Sequence, residues 1–560
     1  MKTSQCTQCQ KTFKIFPEDQ DFYKRVNVPE PTECPACRMQ RRLAFRNERT
    51  LYQDKCALCN NTMLSLYNSK DGYKVYCQKC YWSDNWDQLK TGRNFYFNRP
   101  FFEQFQELQK DSPRLAMNNI NSENSEFTNA GADNKNCYLL FAAENNENCS
   151  FGKLVQECKD SYDCNFIYNS ELCYNSIDLK NCYHVYYSKD LQDCTDCHFS
   201  IDLKGCRNCL FCSNLVNKEN YINNKEVSEE KFIQEVDRIF SSYENTKEAL
   251  EKFQQVKDGR FACFSKQIKS ENCIGDYLEA CRRVYDSYDV TRGQDCRYLN
   301  DALDPKDCHD SAFIYYNPEL CYETMSTLQM NNVQFCLFCY YGSNLQYNEL
   351  LHNCSDCFGC TGMRKKKFCI FNKQYEEQEY KKLKQKIINH MKKTGEWGKM
   401  FPINYSCFAY NDTVAQEYFP LKKEQAMNLG LKWNDEADKK YEGSDGIDAK
   451  KIPDMISAVN DDVLKKVIIC EKSGQGFKIT KQELAYYREH DIPLPHFHPE
   501  VRHQMRMQQR NLRRMWQRQC DCTKPDHGHA GRCPEEFETT FSPERKELVY
   551  CDKCYKSEIY

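Results

Sequence analysis

Eight cysteines in the first 80 residues fall into four C-x2-C pairs: Cys6-x2-Cys9 and Cys34-x2-Cys37, separated by 24 residues, and Cys56-x2-Cys59 and Cys77-x2-Cys80, separated by 17. Two such pairs match the tetrahedral, sulfur-preferring coordination of Zn²⁺, and a full set of four thiolates leaves no open position for catalysis. Metal binding would contribute on the order of 10 kcal/mol per site to folding. A third ribbon closes the chain. Cys533 and Cys551-x2-Cys554 supply three of its ligands and Cys520 or Cys522 the fourth, with His527 and His529 as outside candidates in the loop. The expectation is about three Zn²⁺ per chain, all structural.

A second chemistry follows Cys37. Arg38, Arg42, Arg46 and Arg49 are spaced by four, four and three, which puts them on one helix face. A guanidinium row can grip phosphates bidentately; the bland reading is a solvated helix paired with nearby carboxylates. The first ribbon recurs at a constant offset of 464, where Cys6 corresponds to Cys470, Phe13 to Phe477, Phe22-Tyr23 to Tyr486-Tyr487 and Pro31 to Pro495. In that copy Ser473, His498 and Val501 replace three ligands, so no structural zinc is expected there, yet Arg502, Arg506, Arg510 and Arg513 keep the row. Losing the metal while keeping the row suggests a separate task. The candidate nucleic-acid contacts, to RNA or DNA, are these eight arginines.

The elements that must carry these modules are organised by a period of three. From Cys137 to Leu215, none of the residues taken every third is charged, in a chain where 28% are. Neither a continuous helix nor a continuous strand has that period. Folded at 12 residues, one column becomes Ala143, Val155, Ile167, Leu179, Leu191, Leu203 and Leu215, so each short coil points four small or aliphatic residues inward. The column Asp133, Asn145, Glu157, Asn169, Asn181, Asp193, Gly205, Asn217 is the expected corner. Tyr138, Ser150, Tyr162, Tyr174, Tyr186, His198 and Leu210 should form a ladder on an outer face. Cys206-x2-Cys209-x2-Cys212 returns 148 residues later as Cys354-x2-Cys357-x2-Cys360, so the centre is duplicated, with a one-residue slip near Pro318. These runs begin like ferredoxin motifs, but Val216 and Arg364 stand where the fourth cysteine would be; a packed core is favoured over another thiophilic metal or a cluster.

The expected fold class is multidomain and mainly β: a duplicated short-coil (about 12 residues) parallel β-solenoid with α-helical segments, flanked by small zinc ribbons. The order is a zinc ribbon with its Arg-rich helix (1–50), a second ribbon (51–92), an aromatic and Asn-rich cap (93–136), the first Cys ladder (137–227), a helix (228–257), the second ladder (258–373), a helix (374–393), a linker or small α/β segment (394–465), the degenerate ribbon copy with its Arg-rich helix (466–518) and the C-terminal ribbon (519–560). A net charge of −3 confines any nucleic-acid contact to local patches. The chain shows no export signal and no apolar run long enough for a membrane span. With 38 cysteines, many in C-x2-C pairs, reduced thiols and metal sites in a cytoplasmic protein are expected over disulfides. No phosphate-cradling glycine loop or nucleophile motif is present, which weighs against an enzyme.

Cys6-Thr-Gln-Cys9, Phe13, Asp19, Phe22-Tyr23, Pro31 and Cys34-Pro-Ala-Cys37-Arg38 resemble a zinc-ribbon domain of uncharacterised bacterial proteins. With the Cys-spaced centre, Gly395-Glu-Trp397-Gly398, Ala415-Gln-Glu-Tyr-Phe-Pro420 and the ending Phe537 to Tyr555, the chain resembles uncharacterised large Cys-rich zinc-ribbon proteins of Patescibacteria (candidate phyla radiation). The resemblance implies zinc and brings no activity. The expected function is a non-enzymatic zinc-binding scaffold that meets RNA or DNA through its arginine helices. Two alternatives stand beside it: a protein–protein interaction scaffold gripping partners through the ribbons and the Tyr138, Tyr162, Tyr174, Tyr186 ladder, and thiol-based metal storage or redox sensing.

Overall fold

In the computed structural model, which describes every residue except Asn317, the chain is mainly β and is built on large parallel sheets. In the first ladder the strands Ser150–Gln156, Asn165–Tyr168, Ile177–Lys180, Lys189–Gln192, Ile201–Lys204 and Ser213–Val216 pair in parallel, each residue opposite the one 12 positions on. The aliphatic column is the register itself: Val155 faces Ile167, then Leu179, Leu191, Leu203 and Leu215. A second parallel face runs from Tyr183–Tyr186 through Thr195–His198 and Arg207–Leu210 to Glu219–Ile222. Parallel pairing begins earlier than the thiol pattern, at Asn119 opposite Gly131. The Asn-rich run, read from sequence as part of a cap, therefore opens the ladder.

One third of the backbone in these ladders is left-handed. Asn145, Asn148, Phe151, Leu154 and Glu157 have φ of 57°, 54°, 60°, 52° and 55°, and the pattern continues at nearly every third residue. The expected corner column is left-handed, but so are the other columns three residues apart, including aromatic and leucine positions. Such a conformation costs an ordinary residue roughly 1–2 kcal/mol, least for Asn and Asp. Continuous backbone pairing between successive turns offsets it, as in Asn145 N–H to Ala132 O and Glu157 N–H to Glu144 O (3.1 and 3.0 Å). Side-chain amides add a rail: Asn124 donates to Asn136, Asn136 to Asn148 and Asn148 to Asp160, at 3.1, 3.1 and 2.8 Å.

The interior is narrow, so thiols fill it. Cys137, Cys173 and Cys197 are buried and donate to the carbonyls two residues back, at 3.3, 3.5 and 3.3 Å. Burial pushes the Cys137 and Cys173 thiols up, which favours their neutral form.

The second ladder repeats the plan with a defect. Arg297 faces His309 at the regular spacing, but Cys308 faces Cys321 and Ile314 faces Thr327, an offset of 13, before Met325 faces Leu337 at 12 again. This is the slip foreseen near Pro318. The aromatic segment before the first ladder packs on the last strands of the second one: Phe101 lies 5.6 Å from Phe358 and 5.3 Å from Phe371, ring to ring. Its helix, Phe101–Asp111, is capped from the linker, where both carboxylate oxygens of Glu396 accept from Phe101 and Phe102 N–H at 2.9 Å. The charged stretch after the first ladder is two helices, Glu229–Phe240 and Tyr243–Gly259, broken where the Ser242 side chain caps the second.

The tyrosine ladder does not face solvent. Tyr162, Tyr174 and Tyr186 are each 2% exposed, because Tyr486 stacks on Tyr162 at 4.1 Å and Phe240 meets Tyr186 at 5.4 Å. For these three tyrosines the reading in which the ladder grips a protein partner is corrected: they are covered by elements of the same chain. Among the described residues, no helix is long and apolar enough to cross a membrane.

Candidate metal centres and the arginine clasps

Each ribbon builds its site the same way. In the first, the hairpin Lys2–Gln5 and Thr12–Ile15 brings Cys6 to a tight turn closed by Gln10 at φ 60°; Cys34 then sits at the N-cap of the helix Pro35–Leu43 and Cys37 in its first turn. A helix N-terminus favours a thiolate. Backbone N–H groups of Cys9 and Cys34 point at Cys6 Sγ (3.5 and 3.2 Å), and the Cys37 thiol donating to Cys34, against the cost of burial, brings Cys34 down to about 5. The second ribbon repeats the arrangement, with Asn60 at φ 62° and Cys77 N–H pointing at Cys56 Sγ (3.3 Å). The sulfurs of Cys6, Cys9, Cys34 and Cys37, and those of Cys56, Cys59, Cys77 and Cys80, lie within 4.8 Å of one another. Both sets fit a four-coordinate, thiolate-preferring ion.

At the C-terminus the two candidates for the fourth position fall into different groups. Cys520 gathers with Cys533, Cys551 and Cys554, all buried, whereas Cys522 gathers with His527, His529 and again Cys554. The strands Trp516–Gln519 and Glu536–Thr539 pair antiparallel to set Cys520, and Leu548–Tyr550 runs beside Phe261–Cys263 to deliver Cys551. The ladder thiols behave otherwise: Cys206, Cys209 and Cys212 donate to the carbonyls of Lys204, Arg207 and Leu210 (3.4, 3.5 and 3.3 Å).

The eight arginines are not a phosphate-facing surface, which corrects the expectation. Arg38, Arg42 and Arg46 are 2%, 0% and 6% exposed, and Arg502, Arg506 and Arg513 are 4%, 1% and 8%. All are spent inside the chain. Arg38 bonds Asp310 at 2.8 Å and Arg42 lies between Asp310 and Glu323 at 3.3 and 3.0 Å. Arg502 and Arg506 converge on Asp163, the latter at 2.8 Å. Arg46 pairs with Glu48 at 2.5 Å, Arg49 with Glu500 at 2.9 Å, Arg510 with Asp289 at 2.5 Å and Arg513 with Asp289 and Asp301 at 2.8 Å. Buried guanidinium groups persist only where carboxylates neutralise them.

The two clasps are copies. The first ribbon docks on the second ladder and the degenerate ribbon on the first, through equivalent contacts. Phe22 stacks on His309 at 3.8 Å as Tyr486 stacks on Tyr162 at 4.1 Å. Arg46 lies over Phe313 at 3.8 Å as Arg510 lies over Phe166 at 3.9 Å. The ribbon partners differ by 464 and the ladder partners by 147. Cys470 keeps the turn of the lost metal site, with Gly474 at φ 71° where Gln10 stands in the first copy. Sequence reasoning missed Asp163, Asp310 and Glu323; the available signal for the first two was an Asp recurring 147 residues apart in the duplicated centre, whereas Glu323 has Asn175 as its counterpart and gave none.

The clasps meet at Lys153, 1% exposed in its side chain, whose Nζ lies 2.9 Å from Glu48 and 2.7 Å from Glu417. His503 approaches the other oxygen of Glu417 at 3.2 Å. Nearby, a cavity of about 60 Å³ lined by Arg46, Leu66, Tyr340 and Phe408 has room for a few waters.

No protein-family model matches the chain and no curated protein matches it in sequence, so the resemblance to bacterial zinc-ribbon proteins rests on the residues quoted for it.

Proposed function

We propose that the chain is a non-enzymatic, zinc-binding scaffold: two short-coil β-solenoids, each clasped by a ribbon, with zinc stabilising the ribbons that retain four cysteines. The solenoid reading is supported by the 12-residue parallel register and by left-handed residues recurring every third position. One observation carries the scaffold reading. The degenerate ribbon, which has lost three ligands, keeps the same docking contacts as the complete one, so the retained task is holding the ladder. Zinc is favoured by all-thiolate quartets, and a reducing compartment by 38 free thiols. Nucleic-acid binding through the arginine rows has no support in this arrangement, since their charge is neutralised internally.

Elemental analysis of the intact chain, purified anaerobically, tests the reading. Zinc filling the three all-cysteine quartets, without iron, supports it; iron or copper in excess of those sites would move the ladder thiols to metal handling. In a gel shift with RNA and duplex DNA, no salt-dependent retention is expected, and tight salt-dependent binding would overturn the internal-clasp account.

A further inference from the structure

We infer that the C-terminal ribbon binds two metal ions bridged by the Cys554 thiolate, the second held by Cys522, His527 and His529. The inference rests on the proposed reading of the ribbon quartets as metal sites and goes beyond it by one ion of a different donor set.

Cys554 belongs to both groups, and in each group the ligand atoms lie within 4.8 Å of one another. The two imidazoles are held as metal ligands are. His527 turns Nδ1 to Cys522 Sγ at 3.1 Å, while its Nε2 lies 3.3 Å from the Glu558 carboxylate. His529 turns Nε2 to Cys554 Sγ at 3.5 Å, while its Nδ1–H donates to Gly531 O at 2.9 Å. The acceptor on His529 Nδ1 fixes its tautomer and aims the other lone pair at the site, the usual outer shell of a ligating histidine, and a carboxylate stands beside the far nitrogen of His527. Cys554 and Glu558 are four apart on the helix Asp552–Ile559, so one face supplies both the bridge and the carboxylate.

Charge points the same way. Cys522, Cys520 and Cys554 are at most 1% exposed, and five thiolates around one divalent ion would leave a large uncompensated negative charge in a buried site. Two ions reduce it to a single net charge. A bridging sulfur, with each metal–sulfur bond about 2.3 Å, places the ions roughly 3.5–4 Å apart. The order Cys522, His527, Glu558 also matches a nucleophile, base and carboxylate, but that arrangement leaves His529 against Cys554 without a purpose and gives a nucleophile that is 0% exposed.

Native mass spectrometry of the zinc-loaded intact chain tests the inference. Four ions are expected, falling to three in His527→Ala/His529→Ala and to two in Cys554→Ser. Three ions in the wild type, or an unchanged count in the histidine variant, would overturn it while leaving the scaffold reading intact; no bound zinc would sink both. Should Cys554→Ser not fold, ¹¹³Cd NMR of the cadmium-loaded wild-type chain decides: two mutually coupled resonances, lost in the histidine variant, support the bridge, and four uncoupled ones refute it. Alkylation of Cys522 by iodoacetamide in the zinc-loaded protein would likewise count against a ligated thiolate.

Discussion

Arg506 Nη1 lies 2.8 Å from Asp163 Oδ1, a carboxylate 343 residues earlier in the chain, and neither side chain is more than 1% exposed. The pair joins the ribbon copy that has lost three of its four ligand cysteines to the first ladder. Replacing Arg506 with Ala opens a void and loosens the neutralisation of a buried carboxylate, a change that costs about 3–5 kcal/mol. Urea denaturation checks it; a loss below about 1 kcal/mol would mean that Arg502 alone neutralises Asp163.

The equivalent clasp at the N-terminus is expected to respond alike. In Glu323→Ala, Arg41 and Arg42 lose the carboxylate they share at 2.5 and 3.0 Å, and the first ribbon should loosen from the second ladder. Limited proteolysis would then release fragments ending near residue 50 faster than in the wild type. Equal cleavage rates would argue that the stacked Phe22 and His309 rings hold the ribbon without the ion pairs.

Lys153 predicts a pH signature. Burial would push the Glu417 carboxyl up, but Lys153 and the His503 imidazole hold it well below the usual carboxylate range. Glu417 therefore contributes stability that is full above its ordinary pKa near 4.3 and is lost as pH falls toward the depressed value. Lys153→Met removes that contribution and leaves Glu48 with Arg46 alone and Glu417 with only the His503 imidazole, costing about 3–5 kcal/mol at neutral pH. The gap in melting temperature between variant and wild type should narrow as pH falls below about 4.3, where the wild type begins to lose the contribution; a constant gap would show that the lysine acts through packing alone.

Metal removal should act on the termini first. A chelator with a thiol reductant is expected to make residues 1–92 and 519–560 protease-sensitive, while the β-sheet circular dichroism of the ladders persists, because their core is hydrogen-bonded thiol and aliphatic side chain. Simultaneous loss of both signals would place metal inside the ladders.

Much of the ladder was legible because a narrow interior admits only small or aliphatic groups, so Val155, Ile167, Leu179, Leu191, Leu203 and Leu215 announce the register they adopt. Its backbone was not. Phe151, Leu154 and Phe166 carry no turn signal, yet repeated pairing with the neighbouring turns forces them to positive φ. The arginine rows were visible as helix faces, but a face does not reveal what covers it: Asp310 lies 272 residues from Arg38. At the C-terminus, Cys520 and Cys522 are two apart, which would put both on one face of an extended segment, and spacing alone could not separate a quartet from a shared pair of sites.

The crossed docking has a consequence for synthesis. The first ribbon leaves the ribosome early, but Asp310, which neutralises Arg38, follows 272 residues later, on the order of tens of seconds at ordinary elongation rates. During that interval the nascent chain carries a bare cationic helix beside ribosomal RNA, and its aromatic docking face is uncovered. The degenerate ribbon meets no such delay, since its ladder is already made when it emerges. Of the two copies, the one that waits for its partner is the one that retains four cysteines, so a bound metal would hold it folded until the partner arrives.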